Sequence, residues 1–270
     1  MIFSTLVRRI FNPVFVNQSK SLLNLPIQDP NFELTRISNL GRHNSGKTNL
    51  IQKGFRFIDS ESFIYQYNEI FLNHFLSFET DSPHPLILDC GSNIGVSVSY
   101  FQQSYPSAKI IAFEPDPEIF ECLSLNSQNG RESNIELHNK AVWTEDTWID
   151  FKTDGADGGK IDKSGNCKVQ SVNLSMFLQQ KVDMLKVDIE GAEAFVLPAI
   201  SNYLKNVKNL FLELHITENQ PELLEQTIRI LRENGFVYKI NAVGRLDFKS
   251  FKKQRGYSMQ LNIFAVNENS

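Results

Sequence analysis

LILDCGSNIGVSVSYFQQSY, residues 86–105, reads as a strand, a glycine-bearing loop and a helix in immediate succession. LILDC is a short continuous apolar run carrying Asp89 near its end, the pattern of a strand buried on both faces. In the loop GSNIG, Gly91 and Gly95 let a ligand approach the backbone closely. The following helix, predicted from Ile94 to Tyr105, offers free amides to an anionic group.

The same unit recurs downstream. KIIAFE at 109–114 is a second strand with a helix over PDPEIFECLSLNSQ behind it, and IELHNKAVW at 135–143 is a third strand. VDMLKVD at 182–188 is a fourth, followed by a helix through GAEAFVLPAISNYL, and NLFLELH at 209–215 is a fifth. Pro221 starts one more helix and Gly235 ends it. Strands at 236–241 and 258–266 follow with no helix between them, so an antiparallel hairpin at the sheet edge is expected. Strands alternating with helices predict an α/β fold, a parallel sheet with helices on both faces.

Upstream, 59–79 is a predicted helix behind Asp59 and Ser60, which can cap it, and 32–58 reads as short strands broken by GRHNSGKTN at 41–49. Residues 1–30 are apolar and basic, with Arg8, Arg9 and Lys20 but no acid before Asp29. They suggest a docking helix or homodimer arm, with peripheral contact to a membrane surface as the sharper alternative. The expected division is an N-terminal arm with short strands over 1–58 and the Rossmann-like domain over 59–270.

Composition narrows the classes. The 270 residues are 41% hydrophobic and 21% charged, which excludes disorder as the dominant state. A net charge of −4 argues against a bulk basic surface, so no nucleic-acid partner is expected. Cys90, Cys122 and Cys167 form no C-x-x-C pair, which argues against a zinc site or disulfide framework and suits a cytoplasmic location. No apolar run approaches the roughly 18–20 residues a spanning helix needs.

The loop at 89–95 selects a cofactor class. Glu114 ends the next strand, where an acid can accept both hydroxyls of a ribose. A nicotinamide dinucleotide wants G-x-G-x-x-G to clear space for its pyrophosphate, and Asn93 stands where the second glycine would be. Asp89 would repel a pyrophosphate and suits an amine. S-adenosylmethionine (AdoMet) has an amine, a carboxylate, a ribose and no phosphate. Asp89 is expected to hold its amine, the loop amides its carboxylate and Glu114 its ribose. An NAD(P)-dependent oxidoreductase and a non-catalytic cofactor-binding scaffold are the competing readings.

Side chains alternate along a strand. Lys186, Asp188 and Glu190 therefore share one face, and on the fifth strand Phe211, Glu213 and His215 share one. Charge inside a central sheet is costly unless paired, so Lys186 is expected to pair with Glu213. Asp188 and His215 should lie at the carboxyl ends, where open α/β sheets bind ligands. Histidine titrates nearest neutrality, making His215 the leading candidate for a general base. Asp188 would orient the acceptor or act as base itself, with Glu213 and Lys186 as the supporting pair. A buried ion pair that only fixes register, and a divalent-metal site of Asp188, Glu213 and His215, are the alternatives; no metal is expected.

DCGSNIG at 89–95, FEPD at 113–116, LKVDIEGAE at 185–193 and LELH at 212–215 together resemble the FkbM-type AdoMet-dependent methyltransferases, in particular the bacterial branch associated with polysaccharide biosynthesis. SFIYQYNEIF at 62–71, GADGGKI at 155–161 and QLNIFA at 260–265 extend the match, while GRHNSG at 41–46 departs from it. The resemblance implies a class I methyltransferase sheet in order 3-2-1-4-5-7-6, last strand antiparallel, and O-methylation of a sugar hydroxyl on a small molecule or glycan. The cofactor set it implies is Asp89, Gly91, Ser92, Asn93, Gly95, Glu114, Pro115, Asp116, Ala141 and Asp188. A base N-methyltransferase would instead carry an Asn/Asp-Pro-Pro-aromatic motif after the fourth strand, where Ile189 and Glu190 stand.

Overall fold

The structure, a computed structural model, describes residues 29–127, 134–244 and 259–269. Apart from Asp29 and Pro30, the arm expected over 1–30 lies outside the described residues. The chain runs α1 (Pro30–Ser38), β1 (Gly46–Thr48), β2 (Phe55–Phe57) and α2 (Ser60–Tyr67). Next come β3 (Leu86–Cys90), α3 (Val96–Ser104), β4 (Lys109–Phe113), α4 (Pro117–Ser127), β5 (Ile135–His138), β6 (Ala141–Trp143) and β7 (Trp148–Lys152). It continues through β8 (Lys160–Ile161), β9 (Cys167–Asn173), β10 (Val182–Val187), α5 (Glu193–Ile200) and β11 (Val207–Ile216), then α6 (Leu223–Glu233), β12 (Phe236–Ala242) and β13 (Met259–Asn267).

Seven strands form the central sheet in the order β12-β13-β11-β10-β3-β4-β5. Counted 1 to 7 along the chain, that is 3-2-1-4-5-7-6, and β13 alone runs against the direction of the other six strands. This is the class I methyltransferase topology expected from the sequence. The antiparallel hairpin expected at the edge is present: β12 takes the edge, and β13 lies between it and β11. The parallel strands are apolar on both sides because both are covered. Leu88, Leu185, Leu210 and Leu212 pack with Val196, Leu197 and Leu231 of α5 and α6 on one face. Ile87, Met184 and Phe211 pack with Val98 and Phe101 of α3 on the other. α6 buries Leu223, Thr227, Ile230 and Leu231, the spacing of one helix face.

The stretch 135–143, read as one strand, is two. β5 belongs to the central sheet, whereas β6 opens a second sheet of order β6-β9-β7-β8. Between them Asn139 donates its side-chain amide to the carbonyls of Glu114 and Pro115, turning the chain off the first sheet. Residues 30–38, expected among short strands, form a helix capped by Asp29, whose carboxylate accepts from the Asn31 amide. Asp59 caps α2 as predicted, but the predicted helix over 59–79 leaves the α geometry after Tyr67 for a π-helical turn, Asn68–Leu72. Packing runs across residue 58: Phe57 stacks on Phe63 at 5.2 Å, and Ile37 and Phe55 share a core with Ile94, Val96 and Cys122. Among the described residues, no helix is long and apolar enough to cross a membrane.

Candidate active site

The loop after β3 is folded by the backbone around it. The amides of Gly91 and Ser92 both donate to the Phe113 carbonyl, and Asp188 N donates to Cys90 O. Gly91 has φ +82°, and a Cβ on it would stand 1.7 Å from the Asp188 carbonyl oxygen. Glycine is required there because two chain segments meet, not to admit a ligand as expected. Gly95, at φ +90°, likewise faces the Leu123 side chain.

A cavity of about 300 Å³ opens over the carboxyl ends of β3, β4, β10 and β11. Of the expected cofactor residues, Gly91, Ser92, Asn93, Glu114, Pro115, Asp116, Ala141 and Asp188 line it. Asp89 and Gly95 are not part of the wall. Asp89 is fully buried; its carboxylate accepts from Ser97 Oγ and lies 3.3 Å from Lys186 Nζ. The role expected of it, holding an amine, is therefore corrected: its charge is already matched.

Lys186 corrects a second expectation. Its ammonium donates to Gly91 O at 2.8 Å and lies 3.7 Å from Asp188, and it forms no ion pair with Glu213. Register explains the choice. Lys186 sits directly opposite Asp89 on β3 and opposite Phe211 on β11, so the acid at its own level wins. Burial works against its charge, but Asp89 and Asp188 outweigh burial and hold the ammonium above its ordinary value.

Glu114 is aimed by two backbone donors: Asn93 N to Oε2 and Asp116 N to Oε1, each 2.9 Å. Burial nevertheless lifts its carboxyl to about 8. Asp116 accepts from the amides of Glu118 and Ile119 and so caps α4. Asn93, in the left-handed region at φ 48°, ties the loop to both walls of the cavity. It donates to Ala156 O at 3.1 Å and accepts from Gln66 of α2 at 3.3 Å. Arg42 and Asp157, paired at 3.3 Å, close the rim, so the 41–46 and 155–161 stretches cover the same cavity. Gln66 and Gln260 escaped the sequence reading. A signal for the first was present: Ser62 and Gln66, four apart, lie on the cavity face of α2 while Phe63 and Tyr67 enter the core.

Across the cavity from Glu114 stands an acidic cluster. β10 ends at Val187, and the chain turns through Asp188, Ile189 and Glu190, the last at φ 53°. Glu193, fully buried at the start of α5, accepts from the amides of Ile189 and Gly191 at 2.9 Å each and faces His215 Nδ1 at 3.2 Å. His215 Nε2 lies 3.6 Å from Glu190 and 3.8 Å from Glu213. Burial pulls the imidazole down, but Glu193, Glu190 and Asp188 overcome that and raise it to about 10. Burial pushes the carboxyls of Glu190 and Glu213 upward, and Asp188 adds to the push.

These facts correct the expected base. His215 is fully buried and is absent from the cavity wall, so it does not reach a hydroxyl in the cavity. Asp188, Glu190 and Glu213 do line the cavity. His215 instead lies beneath them, held by Glu193 and facing Glu190 and Glu213.

The profile of the methyltransferase FkbM domain matches residues 89–238, more than half of the chain. Methyltransferase sdnD of Sordaria araneosa is 27% identical over 211 residues, covering 63% of this chain and 80% of the relative. Hexuronic acid methyltransferase AglP of Haloferax volcanii is 27% identical over 146 residues, 52% of this chain and 60% of the relative. The 2-O-methyltransferase NoeI of Sinorhizobium fredii is 24% identical over 158 residues, 49% of this chain and 64% of the relative. The match spans the Gly91 loop, Glu114 and the cluster around His215, and the chain belongs to the methyltransferase FkbM domain family.

Proposed function

We propose that this protein transfers a methyl group from AdoMet to a hydroxyl oxygen of a sugar, on a small molecule or a glycan. The observation that carries the reading is one cavity with two chemically distinct ends. At one end Glu114, oriented by two amides, presents its carboxylate; at the other stand Asp188, Glu190 and Glu213. The names of two relatives, a hexuronic acid methyltransferase and a 2-O-methyltransferase, support the acceptor class.

The residues fit the cofactor. Each Glu114 oxygen keeps a lone pair beyond its backbone bond, enough for two ribose hydroxyls. Ala141, Ile119 and Phe151 supply apolar wall for a purine. When bound, AdoMet supplies a methyl already activated on a sulfonium. What remains for the chain is alignment and a proton. Asp188 orients the acceptor hydroxyl, and Glu190, on its left-handed turn, receives the proton. Holding the oxygen roughly 3 Å from the methyl and in line with sulfur is the larger contribution; a positioned base adds roughly 10²–10⁴-fold. Asp89 acts one step back, through Lys186, which fixes the Gly91 carbonyl.

Thermal shift and mass spectrometry test the reading. AdoMet or S-adenosylhomocysteine should raise the melting temperature and NADH should not. Incubation with AdoMet and a panel of nucleotide sugars and uronic acids should give a product one methyl heavier. Glu114→Gln should weaken AdoMet about tenfold or more. Glu190→Gln should keep AdoMet affinity and lose turnover by about 10²-fold or more. A shift with NADH and none with either AdoMet form defeats the proposal.

A further inference from the structure

We infer that Asp188, Glu213 and His215 hold a divalent cation of the manganese or magnesium class at the carboxyl ends of β10 and β11. One donor atom from each of the three lies within 4.8 Å of the others. That spacing suits ligands around an ion with bonds of about 2.1 Å, whose opposite ligands stand about 4.2 Å apart.

The second carboxylate behind the histidine strengthens the assignment. A metal-binding imidazole usually gives its other ring N–H to a carboxylate, which fixes the tautomer and aims the free nitrogen. His215 Nδ1 faces Glu193 at 3.2 Å, and Glu193 is itself pinned by the amides of Ile189 and Gly191. Binding uses the Nε2 lone pair, so the remaining ring proton stays on Nδ1 against Glu193. Nε2 is turned toward Glu190 and Glu213.

Charge points the same way. Asp188, Glu190, Glu193 and Glu213 surround one imidazole, and Lys186 is shared between Asp89 and Asp188. A divalent cation is drawn to a site ringed by carboxylate oxygens. Asp188 and Glu213 line the cavity, so an ion has a path to them.

An independent observation lies on β13. Gln260 is opposite His215 in the sheet, is 7% exposed and lines the cavity, and among the described residues its side chain makes no hydrogen bond. Asn262, opposite Glu213, buries its Oδ1 with no hydrogen-bond partner. A buried amide oxygen left without a partner, as on Asn262, is uncommon and asks for an ion, a water or a ligand group. Two carboxylates and one imidazole, with an amide oxygen opposite Glu213 on the next strand, make an oxygen-rich set, which favours manganese or magnesium over zinc or copper. The ion's catalytic role, drawing an acceptor hydroxyl toward Glu190, rests on the methyltransferase reading; its binding does not.

The test uses the full chain, stripped with EDTA and titrated with MnCl₂ while free Mn²⁺ is followed by electron paramagnetic resonance. One equivalent should bind per chain, and Mn²⁺ should raise the melting temperature. Glu213→Gln and Asp188→Asn should each weaken binding at least tenfold, with circular dichroism confirming that they fold. Asp150→Asn, at a half-buried acid of β7 paired with Lys168 and away from the cluster, should leave it unchanged. No binding at about 1 mM Mn²⁺, or equal binding in both cluster variants, overturns the assignment. AdoMet thermal shifts run on the same samples separate the two readings. A retained AdoMet shift without Mn²⁺ binding removes the cation alone; Mn²⁺ binding without an AdoMet shift removes the methyltransferase reading alone.

Discussion

Replacing Gly91 with alanine should be among the most damaging single changes available to this chain. Its φ of +82° alone costs an alanine about 1–2 kcal/mol. The new Cβ would also stand 1.7 Å from the Asp188 carbonyl oxygen, half an ordinary contact distance, and that oxygen is backbone just past the carboxyl end of β10. The β3 loop and the end of β10 must part. Two bonds go with them: Asp188 N to Cys90 O, at 3.1 Å, and Lys186 Nζ to Gly91 O, at 2.8 Å. A neutral bond contributes about 1 kcal/mol and a charged, buried one about 1.5–3. The total is about 4–6 kcal/mol, or roughly 10 °C in melting temperature for a chain of this size. Gly155 is the control. It has φ +73° with nothing within 4 Å of its would-be Cβ, so Gly155→Ala should cost only the backbone share, about 1–2 kcal/mol. Urea denaturation and scanning fluorimetry on both variants decide the matter. If Gly91→Ala melts within about 2 °C of the parent, or no lower than Gly155→Ala, the close-approach argument is wrong.

Lys186→Met should leave Asp89 charged, fully buried and unpaired, at a cost of about 3–5 kcal/mol measured by urea unfolding; a loss under about 1 kcal/mol refutes the pairing. In the EDTA-stripped protein, stability should fall as pH rises from neutrality. His215, raised to about 10, stabilises fully below its unfolded value near 6.5 and loses that contribution through pH 10. Glu114, raised to about 8, has the same sign and loses its share as pH rises through 8. The urea midpoint at pH 9.5 should lie clearly below that at pH 7, and a flat profile contradicts the assignment. Arg42→Ala should raise KM for the acceptor while moving the melting temperature by no more than about 2 °C, since its pair with Asp157 is partly exposed; unchanged KM removes the rim from acceptor binding.

The sheet was legible because its signal is local. LILDC, KIIAF, VDMLKV and NLFLELH are predominantly apolar, and each becomes a strand of the central sheet. The alternation of strands with helices then fixed which faces are covered. What escaped depends on contacts far apart in sequence. Nothing in Lys186 tells whether Asp89 or Glu213 lies level with it; that is set by the register of β10 against both neighbours. The break between His138 and Ala141 hangs on one asparagine reaching back to Glu114. The types of the catalytic candidates were readable, since acids and a histidine inside a parallel sheet are conspicuous. Their protonation was not, because the raised His215 depends on Glu193 and Glu190, which arrive from a turn and a helix rather than from its own strand.

The place of β13 constrains how a new chain can be made. β13 lies between β11 and β12, and β12 has no other neighbour in the sheet. The ribosome therefore delivers β12 before the strand that must separate it from β11. Until β13 emerges, the open edge of β11 is exposed to any strand within reach, its own β12 included. Gln260 rides on β13, so the wall nearest His215 is also the last part of the cavity to form. Domains on a growing chain tend to fold as units in the order they appear. This one has to hold its sheet open until its final insertion.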